Sequence, residues 1–134
     1  MDNLHDFARR VLEAQPFSAL IGAELTQISS GSAELRLSVR DELKQQHGLI
    51  HGGVISYLAD NSLTFAGGSI LGDSVTSEFK INYLKPGKGN LLIARAEAIS
   101  YGRRQAVCQC RIFTVEDDET LVAMAQGTIV ALLR

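Results

Sequence analysis

His51-Gly52-Gly53-Val54-Ile55-Ser56-Tyr57-Leu58-Ala59-Asp60 opens a run, continuing to Leu71, in which almost every residue is apolar or small. Two glycines followed by apolar residues at helical spacing predict one helix, buried nearly all round. A carboxylate two turns into such a helix is costly, because ionised groups are rarely buried without a partner. The helix start carries free N–H groups and a partial positive charge, which suits a developing oxyanion. One short stretch therefore supplies a carbonyl-polarising terminus, at Gly52 and Gly53, and a base or nucleophile, Asp60. The bland alternative is an Asp satisfied by nearby Ser or Thr hydroxyls or by a second chain.

Spacing adds a constraint. Asp60 lies seven residues after Gly53, which puts it on the same face and ~10 Å along the axis at ~1.5 Å per residue. That is too far for both to act on one carbonyl. A second helix running antiparallel would bring Asp60 of one chain to the glycines of the other. The pattern thus points to a dimer with composite sites.

Outward from this helix the chain reads as strands and turns. Upstream, Asn3 to Ala14 has Leu4, Phe7, Ala8, Val11 and Leu12 at helical spacing, with Asp2 or Asn3 as its cap. Pro16 ends it or starts a short turn through Leu20. Ala23–Ile28 and Ala33–Val39 form two strands around Ser29-Ser30-Gly31-Ser32. The central helix is expected to fade at Ala66-Gly67-Gly68-Ser69. Downstream, Val75–Leu84, Leu91–Tyr101, Gln105–Val115 and Thr120–Leu132 read as a four-strand meander separated by turn clusters. One buried helix against a long antiparallel sheet is an α+β arrangement.

The 134 residues, 1–134, fit a single domain. A net charge of −2 leaves no electrostatic footprint for nucleic acid or a membrane surface. Residues 54–71 come nearest to a membrane span, but Asp60, Asn61 and several hydroxyls interrupt them. Asp2, His5, Asp6, Arg9 and Arg10 at the N-terminus do not make a signal-peptide core, so the chain reads as cytoplasmic. Cys108 and Cys110, the only cysteines, share a strand face without a second pair to complete a metal site. They read as plain buried thiols, and neither a metal nor a cofactor is expected.

The pattern His47-Gly48-x-x-His51-Gly52-Gly53-x-x-x-x-Leu58-Ala59-Asp60-Asn61, followed by Tyr83-Leu84-Lys85-Pro86-Gly87, resembles the hotdog-fold thioesterase superfamily. The likeness runs from about Leu20 to Leu133 and is greatest to the branch that includes the phenylacetate-pathway acyl-CoA thioesterases. The resemblance implies a long sheet wrapped around the central helix, assembled as a dimer or a dimer of dimers. It implies hydrolysis of an acyl-CoA thioester, with Asp60 as base or nucleophile and the Gly52 N–H as principal carbonyl donor. It also places Gln45 where relatives often carry Asn, and Thr76 where some carry a hydroxyl that orients the attacking water.

Other positions keep two readings. His51 caps the helix or transfers a proton, and His47 lines the way in or is surface. Tyr57, Leu58, Phe65, Phe79 and Tyr83 line an acyl pocket or belong to the core. Asn61 is expected at a subunit contact. Lys85, Lys88, Arg103 and Arg104 are solvated turn charges or contacts for the phosphates of coenzyme A. Two other functions compete with hydrolysis. Acyl-thioester dehydration on this fold pairs a His with a Glu on the facing chain, which Asp60 disfavours. A non-catalytic acyl-CoA binder would have little reason to keep both Gly52 and Asp60.

Overall fold

A computed structural model of the chain describes residues 3–132, so the proposed Asp2 cap lies outside the described residues. Two helices, α1 (Asn3–Glu13) and α2 (Pro16–Ile21), precede β1 (Ala23–Ser29) and β2 (Ser32–Ser38). Pro16 starts α2 rather than a bare turn, its fixed φ suiting a first helical position. After two single-turn 3₁₀ segments come α3 (Gly52–Leu71), β3 (Ser74–Tyr83), β4 (Leu91–Tyr101), β5 (Gln105–Val115) and β6 (Glu119–Ala131).

All six strands form one antiparallel sheet in the order β1-β2-β4-β5-β6-β3, and α3 packs across every one of them. This is the α+β hotdog arrangement expected. The four downstream strands are not a meander, however. Only β4, β5 and β6 follow one another; β3 crosses to the far edge to pair with β6, leaving β4 to pair with β2. The Lys85–Asn90 connection makes that crossing over the start of α3. There Ile50 N–H donates to the Gly87 carbonyl (3.0 Å), and a Cβ on Gly87 would press Ile50 and Ile55 at 3.3 Å.

The central helix also runs on past its glycines. Gly67 lies against β6, where an added Cβ would meet Ile129 Cβ at 2.8 Å, so close approach and not helix ending explains it. Gly72, at φ +83°, ends the helix. The helix is not buried all round. Leu58, Ala59, Ser62, Leu63 and Ala66 are fully covered, whereas Tyr57, Asp60, Asn61 and Thr64 form a half-buried stripe, of which Asp60 and Thr64 turn toward the edge strand β3.

β3 carries the feature that aims this stripe's partner. Its register slips between Thr76 and Glu78, so Ser77 is an extra residue in the strand. Strict alternation from Ser74 and Thr76 would turn Glu78 and Lys80 inward. The bulge instead lets Thr76 face the helix and still turns Phe79 and Ile81 inward.

Candidate active site

Asp60 sits beside a cleft of about 330 Å³ bordered by Tyr57, Asn61, Thr64, Thr76 and the α1–α2 junction. The Thr76 hydroxyl donates to Asp60 Oδ1 at 2.6 Å. A threonine hydroxyl has one proton, so with Thr76 committed to the carboxylate, the Thr64 proton serves both its other contacts. These are Thr76 Oγ1 and the Asp60 carbonyl oxygen, each at 2.8 Å. Thr76 therefore holds one carboxylate oxygen directly, and Thr64 holds Thr76 from behind while bonding the Asp60 main chain. Thr64 escaped the sequence reading. Its signal was a hydroxyl four residues after Asp60 on the same helical face.

Next to this group is a polar knot from the N-terminal helices. Tyr57 donates its hydroxyl proton to Ser18 Oγ (2.5 Å), and Ser18 donates to Gln15 Oε1 (2.6 Å). Asn61 Nδ2 reaches Gln15 Oε1 at 3.1 Å and the Tyr57 hydroxyl at 3.0 Å. Tyr57 thus borders the cleft with its hydroxyl tied to α2 and its ring edge-on to Phe17. Asn61 is bonded within its own chain.

At the start of α3 the two glycines differ. Gly53 N–H donates to His51 Nδ1 at 2.8 Å, and a Cβ on Gly53 would fall 2.9 Å from that nitrogen. His51 is therefore the helix cap, with Nδ1 the acceptor. Gly52 N–H donates only to Gln45 Oε1, at 3.3 Å, and a Cβ there would find Tyr83 no nearer than 3.6 Å. Gln45 thus occupies the Gly52 N–H through one long bond. Tyr83, an exposed residue rather than core, donates its hydroxyl to the Gly52 carbonyl (3.1 Å). His47 is exposed on the preceding loop at φ +66°.

Within one chain Gly52 and Asp60 stand eight residues apart on α3, ~12 Å along the axis. The chain does not bring the two halves together. Nor does it gather the turn cations. Lys85 and Lys88 precede β4, whereas Arg103 and Arg104 follow it, which puts the pairs roughly 35 Å apart at ~3.3 Å per residue. All four are exposed. Cys108 and Cys110 are buried and unpaired, and burial pushes each thiol up to about 11. Among the described residues, no three His, Cys, Asp or Glu side chains converge as a metal site. No helix among them is long and apolar enough to cross a membrane.

Residues 47–121, which include the glycine cap, Asp60, Thr64 and Thr76, match the model of the thioesterase superfamily. The chain belongs to the thioesterase superfamily. A 1,4-dihydroxy-2-naphthoyl-CoA hydrolase of Listeria monocytogenes is 31% identical over 112 residues, covering 81% of this chain and 89% of its own. The acyl-coenzyme A thioesterase PaaI of Escherichia coli is 26% identical over 121 residues, covering 90% and 85%. A thioesterase family protein from Silicibacter pomeroyi superposes with a TM-score of 0.94 at 29% identity, over 98% of this chain and all of that one. Membership in the superfamily accounts for the six strands, the central helix and the glycine cap together.

Proposed function

We propose that this chain hydrolyses acyl-CoA thioesters at sites built from two copies, Gly52 of one protomer facing Asp60 of the partner subunit. The observation that carries the reading is the division of labour on α3. One end has a backbone donor held only at 3.3 Å, and two turns on a carboxylate is oriented by Thr76 at 2.6 Å. Support for pairing comes from β3, a ten-residue edge strand bonded on one side to β6, with Val75 and Tyr83 exposed. A long unpaired edge is a surface that a second strand can extend.

In this mechanism the thioester carbonyl oxygen takes over the Gly52 N–H from Gln45. Asp60 accepts a proton from a water placed beside the Thr64 and Thr76 hydroxyls, and the hydroxide oxygen attacks the carbonyl carbon. The tetrahedral oxyanion is held at Gly52 N–H near the positive end of α3. Collapse breaks the carbon–sulfur bond, and the leaving thiolate takes the proton back from Asp60. Free acid and coenzyme A result.

Release of free thiol from a panel of acyl-CoAs tests this directly. Asp60→Asn keeps size and hydrogen-bonding capacity but removes the base, so kcat should fall by about 10²–10⁴-fold with an unchanged melting curve. Full activity in a folded Asp60→Asn protein would refute the assignment.

A further inference from the structure

A second, larger cavity of about 440 Å³ opens directly off the Asp60 cleft, sharing Gln15, Asn61, Thr64 and Ser74 with it. One wall is a stripe of α1: Leu4, Phe7, Ala8 and Val11, ending at Gln15. The other is a stripe of α3: Asn61, Thr64, Phe65, Gly68, Ser69 and Gly72. Each stripe spans eleven residues, or roughly 16 Å at the helical rise. The bond from Asn61 Nδ2 to Gln15 Oε1 (3.1 Å) pins them together at the Asp60 end. The two helices therefore face each other antiparallel across a long groove, with Ile28 of β1 between them.

The sequence of α1 divides in the same way. Ala8 and Leu12 are buried, 3% and 2% exposed, and anchor the helix to the core. Phe7 and Val11, on the adjoining stripe, remain 59% and 39% exposed. These side chains contribute little to the core and leave an apolar wall in contact with water. Among the described residues, the lining is apolar or uncharged apart from Asp73, beyond the far end of the α3 stripe.

We infer that this groove holds the acyl chain of the substrate, and that the enzyme acts on unbranched aliphatic acyl thioesters of about eight to twelve carbons. The inference rests on hydrolysis at Asp60. An extended chain advances roughly 1.3 Å per carbon for a ~1.5 Å bond, so a 16 Å groove accommodates about twelve carbons. Its volume lies within the ~300–1,000 Å³ of small-ligand sites. The narrow, two-walled form favours a chain over a fused ring. Val11 lies four residues from Gln15, about 6 Å in, and Leu4 about 16 Å in. α1 thus acts as a ruler.

The test is a series of saturated acyl-CoAs from butyryl to hexadecanoyl, with benzoyl-CoA as the ring control. In the unmodified protein, kcat/KM should rise from butyryl to a maximum between octanoyl and dodecanoyl, with benzoyl well below it. Val11→Phe should lower the octanoyl-to-butyryl ratio of kcat/KM by tenfold or more, the scale on which a filled pocket discriminates. Leu4→Phe should lower the dodecanoyl-to-octanoyl ratio more than the octanoyl-to-butyryl ratio. Displacement of a fluorescent fatty-acid probe by dodecanoate gives a readout independent of turnover, and Val11→Phe should weaken it similarly.

Hydrolysis with flat chain-length dependence, unmoved by either substitution, would overturn the groove and leave the thioesterase reading intact. Dodecanoate binding that is sensitive to Val11→Phe, with no acyl-CoA hydrolysed, would keep the groove and overturn the thioesterase reading. If Val11→Phe changed only the sedimentation behaviour, the groove would be a subunit contact and the inference wrong.

Discussion

Gly52 and Gly53 are adjacent and chemically identical, yet the structure gives them different work. Gly53 is required by its neighbour: the His51 imidazole closes onto its N–H so tightly that a methyl group has no space. Gly52 has room for a methyl group, and its N–H, bonded only to Gln45, is the one the proposed mechanism gives to the substrate. Gly53→Ala should therefore cost stability, about 0.5–2 kcal/mol for a lost cap, seen as a melting temperature lower by a few degrees. Gly52→Ala should keep or slightly raise the melting temperature, since Ala is the better helix former. Its Cβ stands where the carbonyl oxygen must approach, and kcat should fall by about 10²–10³-fold, the effect of losing one oxyanion donor. Thermal melts beside thiol-release kinetics check both, and a reversed pattern would move the oxyanion donor to Gly53. Asp60 was legible in the sequence because a carboxylate interrupts an apolar helix. Thr64 was not, because a hydroxyl on a helix interrupts nothing and acquires meaning only when β3 brings Thr76 within 2.8 Å of it.

At the level of elements, the strands and α1 were readable from period and turn chemistry to within a residue or two; the end of α3, the helix α2 and the order of the strands in the sheet were not. Hydrophobic alternation marks β3 as a strand and is silent on whether it pairs with β4 or crosses to β6. The bulge at Ser77 was hidden for a related reason: one extra residue resets the alternation, and a short polar run reads equally as a wet face. The crossing matters for the coenzyme. It carries Lys85 and Lys88 over the first turn of α3, on the side of Gly52, and leaves Arg103 and Arg104 at the opposite end of β4. Of these four turn cations, the lysines lie on the side of the Gly52 terminus. Reversing charge with Lys85→Glu and Lys88→Glu should raise KM for acyl-CoA severalfold with little change in kcat, because these contacts are equal in ground and transition states. The effect should shrink with added salt, which screens exposed charges beyond about 8–10 Å. A larger KM increase from reversing Arg103 and Arg104 would assign the phosphates to the other end of the sheet.

For the whole molecule, the composite site proposed above rests on the helical rise, since two residues on one straight helix keep their separation in any fold. The folded chain keeps it: Gly52 and Asp60 remain about 12 Å apart along α3, each with its own local partners, Gln45 and Thr76. A two-fold axis that sets two α3 helices antiparallel would make both sites at once, because whatever one chain contributes to its partner it also receives. Complementation puts this geometry to the test. Asp60→Asn and Gly52→Ala chains should each be nearly inactive as homodimers, every site either lacking the base or having its donor blocked by the added Cβ. In a heterodimer, Gly52 of the Asp60→Asn chain meets the intact Asp60 of the Gly52→Ala chain and one site is whole, while the second site carries both defects. After equal mixing through unfolding and refolding, half the dimers are mixed and half their sites intact, so about a quarter of full activity should return. Sites contained within single chains would return none, because every chain in the mixture carries a defect.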